Sequence, residues 1–231
     1  MIVYGRNPVR EALRGSRTVR RLWATKNASR EPWLPRDLKP TLVSSDEIER
    51  ISCSPAHQGI CAEVSSYRYT GADELLSTEQ SLIVALDQVQ DPQNLGAICR
   101  SAECAGATGV VIPERRAAEV TPAVCKASAG AVEHLPIARV RNLADFLTGA
   151  KQAGSWVYGA DARANLAYDA PDYAGAVVLV LGAEGTGLRP RVAAICDALV
   201  AIPLRGTIGS LSVSSAAAVL LYAASTARSK R

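Results

Sequence analysis

Histidine is scarce in this chain, which has His57 and His134 and no others. None of its six cysteines (53, 61, 99, 104, 125 and 196) forms a Cys-x-x-Cys pair. Zinc needs clustered ligands at close spacing, so no metal site is expected. Reduced, mostly buried cysteines in a cytoplasmic protein are the expectation. No apolar run reaches the roughly 18 residues of a membrane span. The opening Met1-Ile2-Val3-Tyr4-Gly5-Arg6 lacks the apolar stretch of a signal peptide. The usual nucleotide fingerprints are missing too. The glycines of Gly182-Ala183-Glu184-Gly185-Thr186-Gly187 run in the reverse order of the dinucleotide pattern, and no Gly-Lys-Ser/Thr is present there.

What remains is the composition of an ordinary globular protein, 48% apolar and 21% charged. A length of 231 residues suits one large domain or two modest ones. The net charge of +4 lies entirely within residues 1–73, and residues 1–36 hold nine basic residues against Glu11 and Glu31. Such a module reads either as an electrostatic footprint for nucleic acid or as a solvated, arginine-rich helix face. Asn7 is placed to cap a helix with Pro8 at its first position. That helix buries Val9, Ala12 and Leu13 and aligns Arg6, Arg10 and Arg14 on another face. Strands near 19–25, 41–44 and 59–64 and a helix from Ser45 or Asp46 to 51 complete a small α/β domain over 1–70. Residues 71–80 are read as a linker.

From residue 81 to 231, strands and helices alternate regularly. Strands are expected near 82–86, 109–112, 135–140, 156–160, 177–181 and 198–202. Helices are expected near 94–105, 121–130, 143–153, 190–195 and 212–228. Continuous Val/Ile/Leu strands separated by helices predict a parallel sheet covered on both faces.

Three segments follow such strands, at the sheet edge where open α/β folds bind ligands. They are Asp91-Pro92-Gln93-Asn94-Leu95-Gly96-Ala97-Ile98-Cys99-Arg100, Leu181-Gly182-Ala183-Glu184-Gly185-Thr186-Gly187-Leu188, and Ile202-Pro203-Leu204-Arg205-Gly206-Thr207-Ile208-Gly209-Ser210-Leu211-Ser212-Val213-Ser214. Alone, Asn94 would read as a helix cap, Arg100 as a surface charge, Glu184 as part of an exposed turn, and Ser210, Ser212 and Ser214 as capping candidates. In this order the three segments resemble the motifs of the SpoU family of RNA ribose 2'-O-methyltransferases. The phrases Ile2-Val3-Tyr4-Gly5-Arg6-Asn7-Pro8-Val9 and His57-Gln58-Gly59 resemble the ribosomal L30e-like substrate-binding domain that precedes many SpoU catalytic domains.

The resemblance implies an α/β SPOUT domain with a C-terminal trefoil knot, which connectivity rules alone would not suggest. It implies S-adenosyl-L-methionine as cofactor, held by Gly182, Ile202 and Leu211. It places Arg100, Asn94, Glu184 and Ser210 in the catalytic pocket, and RNA on Arg6, Arg10 and Arg14. 23S ribosomal RNA is the expected substrate, with transfer RNA the alternative. A guanidinium is a poor base, so Arg100 is assigned to stabilising the developing alkoxide or clamping a phosphate. One position departs from the family's usual Ser-Leu-Asn-Val-Ser, where this chain has Ser212. Serine keeps a capping hydroxyl but lacks the amide's paired donor and acceptor. A catalytically weakened RNA-binding homologue is therefore a second reading, and an unrelated nucleotide-using enzyme a third.

The closing helix carries Ala216-Ala217-Ala218, Leu220, Leu221, Ala223 and Ala224. It is apolar around most of its circumference. A homodimer is expected, with Leu221 and Ala224 in its interface.

Overall fold

The computed structural model describes residues 1–229. Its N-terminal part runs through Ile2–Tyr4 (β1), Arg6–Arg14 (α1), Val19–Ala24 (β2), Thr41–Leu42 (β3), Ser45–Ser52 (α2) and Ile60–Val64 (β4). The four strands form one sheet in the order β1-β4-β2-β3. Ala72–Leu75 (α3) leads into Leu82–Asp87 (β5), Pro92–Cys104 (α4), Gly109–Pro113 (β6), Pro122–Ala127 (α5) and Ile137–Val140 (β7). Leu143–Gln152 (α6), Trp156–Ala160 (β8), Leu166–Ala167 (β9) and Val177–Gly182 (β10) follow. Pro190–Ile195 (α7), Ala198–Ala201 (β11) and Val213–Ser229 (α8) close the chain.

Strands β5 to β11 form a seven-stranded sheet in the order β7-β6-β5-β10-β8-β11-β9. Every pairing in it is parallel. Strand β5 is buried along its whole length, as a sheet covered on both faces requires. One face packs against α4 and α8, the other against α6. Gly96 sits where α4 crosses α5, and a Cβ there would collide with Ala127. All strand C-termini therefore lie along one edge, which carries the loops of the three segments.

Several expectations need correction. Helix α1 is capped by Gly5, at φ 94°, without a side-chain bond, and Asn7 lies inside the helix. Asp91 caps α4, its carboxylate accepting from the Gln93 and Asn94 amides, so Asn94 is not the cap. Pro92 fixes this register because it occupies the first turn. Ser44 caps α2. The expected linker 71–80 contains α3, whose Leu75 is buried, and Thr70 bridges Ala138 of β7. Leu221 and Ala224 are fully buried within their own chain, so neither lies on a surface open to a partner. On α8 the large exposed apolar side chain is Tyr222.

The two sheets are not loosely tethered. Val3, Val9 and Ala12 belong to the same apolar cluster as Val124, Cys125 and Val132. At that junction Arg17 forms a two-pronged pair with Glu133, its Nε 2.8 Å from Oε2. The two side chains are 6% and 1% exposed. Burial pulls the Arg17 guanidinium down, but the Glu133 bonds outweigh it and hold the group above its ordinary value. The pair excludes water from a charged contact, so removing one partner strands the other. Glu133→Ala should cost about 3–5 kcal/mol in urea unfolding at pH 7. A loss below about 1 kcal/mol would show that the junction tolerates a free guanidinium.

Candidate cofactor site at the strand C-termini

Asp87 and Gly182 end neighbouring strands and stand opposite each other in register. The loop leaving β10 at Gly182 turns back over it, and the Gly187 amide donates to the Ala183 carbonyl at 2.9 Å. A Cβ at residue 182 would collide with the Gly187 backbone, so the turn requires glycine there. Gly185 and Gly187 adopt φ of 82° and 68° within the same turn. The returning chain is clamped at Arg189. Its amide lies 2.9 Å from Asp87 Oδ2 and its Nε 2.7 Å from Oδ1. Asp87 is fully buried, a cost met here by both charge and hydrogen bonds.

The third segment leaves β11 as an irregular loop and enters α8. Ser212 caps that helix, its Oγ accepting from the Ser215 amide at 3.1 Å. Ser212 Oγ lies 3.1 Å from Ser214 Oγ, which donates to Asn94 Oδ1 at 3.0 Å. Serine at the departing position thus keeps the capping function. A hydroxyl chain from it joins the third segment to the first.

Between the second and third segments lies a cleft of about 470 Å³, within the range of small-molecule sites. Gly182, Glu184, Ile202, Ser210 and Leu211 all line it. Glu184, Ser210 and Leu211 are exposed, Gly182 and Ile202 half-buried. Val213 and Ala216 supply further apolar wall from α8. Asp161 and Arg163 also line the cleft, and they were not singled out from the sequence. Arg163 Nη2 lies 2.9 Å from Asp161 Oδ2, and these bonds hold the Asp161 carboxyl below its ordinary value. They follow the end of β8, the position that marks the three segments, but carry no glycines to draw attention.

Two residues of the first segment stand elsewhere. Asn94 does not line the cleft but accepts from Ser214, the neighbour of the lining residue Val213, and Arg100 lies on the exposed face of α4 without lining the cleft. Arg100 makes no hydrogen bond or ion pair among the described residues. Arg6, Arg10 and Arg14 are partnered: Arg6 with Glu31 at 3.1 Å, Arg10 and Arg14 with Glu11 at 2.7 and 3.6 Å. His134 follows a 3-10 turn rather than starting a strand, and its Nε2 lies 3.0 Å from Glu11. His57 is buried, with Nδ1 accepting from the Gly59 amide. Burial pushes the Cys99 and Cys125 thiols up to about 12 and about 11, which removes them as nucleophiles at neutral pH. Among the described residues no group of side chains is arranged to hold a metal ion, and no helix is long and apolar enough to cross a membrane.

A parallel sheet with a glycine-turned loop beside a cleft at its carboxyl edge is the arrangement in which open α/β proteins bind ligands. The family of this chain follows from comparison with known proteins. The model of the SpoU rRNA methylase family matches residues 81–222. That of the RNA 2'-O ribose methyltransferase substrate-binding domain matches 2–70. YacO of Bacillus subtilis, assigned to the TrmH family of tRNA/rRNA methyltransferases, is 38% identical over 95% of this chain and 93% of its own. An uncharacterized tRNA/rRNA methyltransferase of Mycolicibacterium vanbaalenii is 40% identical over 100% of this chain and 77% of its own. The SpoU methyltransferase AviRb from Streptomyces viridochromogenes, solved in complex with the cofactor AdoMet, superposes with a TM-score of 0.83 at 26% identity. That match covers 100% of this chain and 91% of AviRb. The chain belongs to the SpoU family of S-adenosylmethionine-dependent RNA methyltransferases.

The glycine turn gives this site a sharp test. Gly182→Ala forces the returning loop off Gly182, and strain of about 1–3 kcal/mol weakens binding by roughly tenfold or more. Titration calorimetry with S-adenosylhomocysteine measures this, with circular dichroism checking the fold. Unchanged affinity in a folded variant would remove the loop from the site.

Proposed function

We propose that the protein transfers the methyl group of S-adenosylmethionine to a ribose 2'-hydroxyl in structured RNA, with 23S ribosomal RNA as the first candidate. The observation that carries this reading is the cleft in which Gly182, Glu184, Ile202, Ser210 and Leu211 meet. Its apolar walls and glycine cradle suit an adenosyl group, with Ile202 and Leu211 at the adenine end. Bound there, S-adenosylmethionine supplies a methyl group already activated by the sulfonium. The O–CH3 bond forms as the S–CH3 bond breaks, and the hydroxyl proton leaves to water or a phosphate oxygen. No described histidine lines the cleft, and a guanidinium, which stays protonated in proteins, is a poor base. Arg100 instead stabilises the developing alkoxide, and Glu184, Ser210 and Asn94 organise the pocket around it. RNA is held in part by the N-terminal module, including Arg6, Arg10 and Arg14. The six unpaired cysteines accord with work in the cytoplasm.

Transfer RNA is the second substrate reading, supported by relatives named for both RNAs. A weakened homologue is disfavoured because the chain retains Asn94, Arg100, Glu184 and Ser210. The reading extends to the knot, supported by a sheet order that sets β10 between β5 and β8, and to a homodimer. Tyr222 is 51% and Ile208 78% exposed, and such apolar surface suits a twofold contact. Arg100 stands outside its own chain's cleft, so a partner would present it to the neighbouring site.

Mapping of 2'-O-methylated nucleotides in RNA incubated with enzyme and S-adenosylmethionine identifies the substrate, and methylation only on bases would overturn the reading. Arg100→Ala should cut methyl transfer by roughly a hundredfold while leaving cofactor affinity within about threefold. Arg100→Lys should also be poor, because an ammonium lacks the planar fork. An alanine variant as fast as wild type would take Arg100 out of the chemistry. For assembly, Tyr222→Glu should yield monomers in light scattering, and an active wild-type monomer at micromolar concentration would contradict the dimer.

A further inference from the structure

A second cleft, of about 440 Å³, opens along the same carboxyl edge beyond the ends of β5, β6 and β7. Five arginines line it, Arg115, Arg116, Arg141, Arg189 and Arg191, and no acidic residue does. Two of them are neutralised: Arg189 by Asp87, and Arg191 by Asp145 at 2.8 Å. The nearby acids Glu114 and Glu119 do not offset the others. Glu119 pairs with Arg139 at 3.0 Å, and Glu114 is exposed and outside the lining. Arg115, Arg116 and Arg141 are exposed and form no hydrogen bond or ion pair among the described residues. Three uncompensated guanidinium groups around one concavity repel one another, and their forked donors match phosphate oxygens. Asn142, Leu143 and Ala144 bring the N-terminus of the ten-residue α6 to the same cleft, adding to its positive field.

We propose that this arginine-lined cleft binds the phosphodiester backbone of the RNA substrate beside the target nucleotide. The inference rests on the methyltransferase reading and adds a second RNA-binding surface, on the catalytic sheet. Its position supports it. Strand β5 neighbours β10, and Arg189 lines this cleft directly after the loop that lines the cofactor cleft. The two clefts are therefore neighbours along one edge, where a single RNA strand can contact both. The N-terminal arginines are weaker candidates for this anchoring, because Arg6, Arg10 and Arg14 are each already paired with a glutamate. The cleft also escapes a charge count by sequence. Residues 74–231 carry equal numbers of acidic and basic residues, and folding gathers the arginines on one edge.

The test uses the full chain with Arg115, Arg116 and Arg141 all changed to glutamine. Binding to a 23S ribosomal RNA transcript and to bulk transfer RNA is measured from low to moderate salt. Each phosphate left without its arginine should reduce the slope of log K against log salt by roughly 0.7–0.9. The variant should bind at least one of the two RNAs roughly tenfold or more weakly at physiological salt, with a slope shallower by about two to three. Its affinity for S-adenosylhomocysteine should match wild type and its unfolding midpoint should be no lower, since the substituted side chains are exposed and their mutual repulsion is removed. A variant with wild-type affinity and slope for both RNAs would overturn the cleft while leaving the methyltransferase reading intact. A wild-type protein without salt-dependent affinity for either RNA would overturn both.

Discussion

The buried carboxylate of Asp87 organises the carboxyl edge of the large sheet. It ends β5 beside Gly182 and accepts both the amide and the guanidinium of Arg189. A fully buried charge of this kind is tolerable only while its partner stays. The loop from Gly182 to Leu188 is therefore pinned at both ends, by a glycine that admits no Cβ and by an ion pair. That fixes one wall of the cofactor cleft. The other wall is fixed through Ser212, Ser214 and Asn94, which tie the start of α8 to α4. The same Arg189 stands between the cofactor cleft and the arginine-lined cleft, so one interaction sets the spacing of both.

A second constraint couples the two sheets. Arg17 and Glu133 are sealed within a continuous apolar cluster, which leaves the N-terminal module little freedom to swing. Tyr67 and Tyr69 reinforce the connection. The Tyr67 hydroxyl donates to the Leu135 carbonyl at 3.3 Å, and the Tyr69 hydroxyl accepts from the Val120 amide at 3.0 Å. On the proposed reading, RNA held by the first module is thereby presented to the carboxyl edge of the large sheet in a set orientation. Alignment of reactants before the chemical step is one of the ways an enzyme lowers the barrier to a group transfer.

Much of this was legible in the sequence where burial on both faces writes continuous apolar runs. Strands β5 and β10 fall where Val/Ile/Leu runs predict them, and α7 spans the predicted residues. Glycine and proline marked the loops of the three segments. Local rules failed where two residues compete for one role. Asp91 and Asn94 are both good caps, and Pro92 decides for Asp91. Strand β9 pairs through two residues only, too few to leave a period. Leu221 and Ala224 read as partner-facing because α8 is apolar nearly all round, whereas the sheet and α4 cover them. The arginine-lined cleft was invisible because residues 115, 116, 141, 189 and 191 are scattered in sequence and offset in number by acids elsewhere.

On the proposed reading, the second and third segments together form the methyl-donor site, with Asp87 and Arg189 holding its frame. A crystal structure of the full chain with S-adenosylhomocysteine tests this most directly. The ligand is expected between the Gly182–Gly187 turn and the residues from Ile202 to Leu211, with the Asp87–Arg189 pair intact beside it. Ligand density elsewhere on the molecule, or a bound state in which Arg189 has left Asp87, would contradict it.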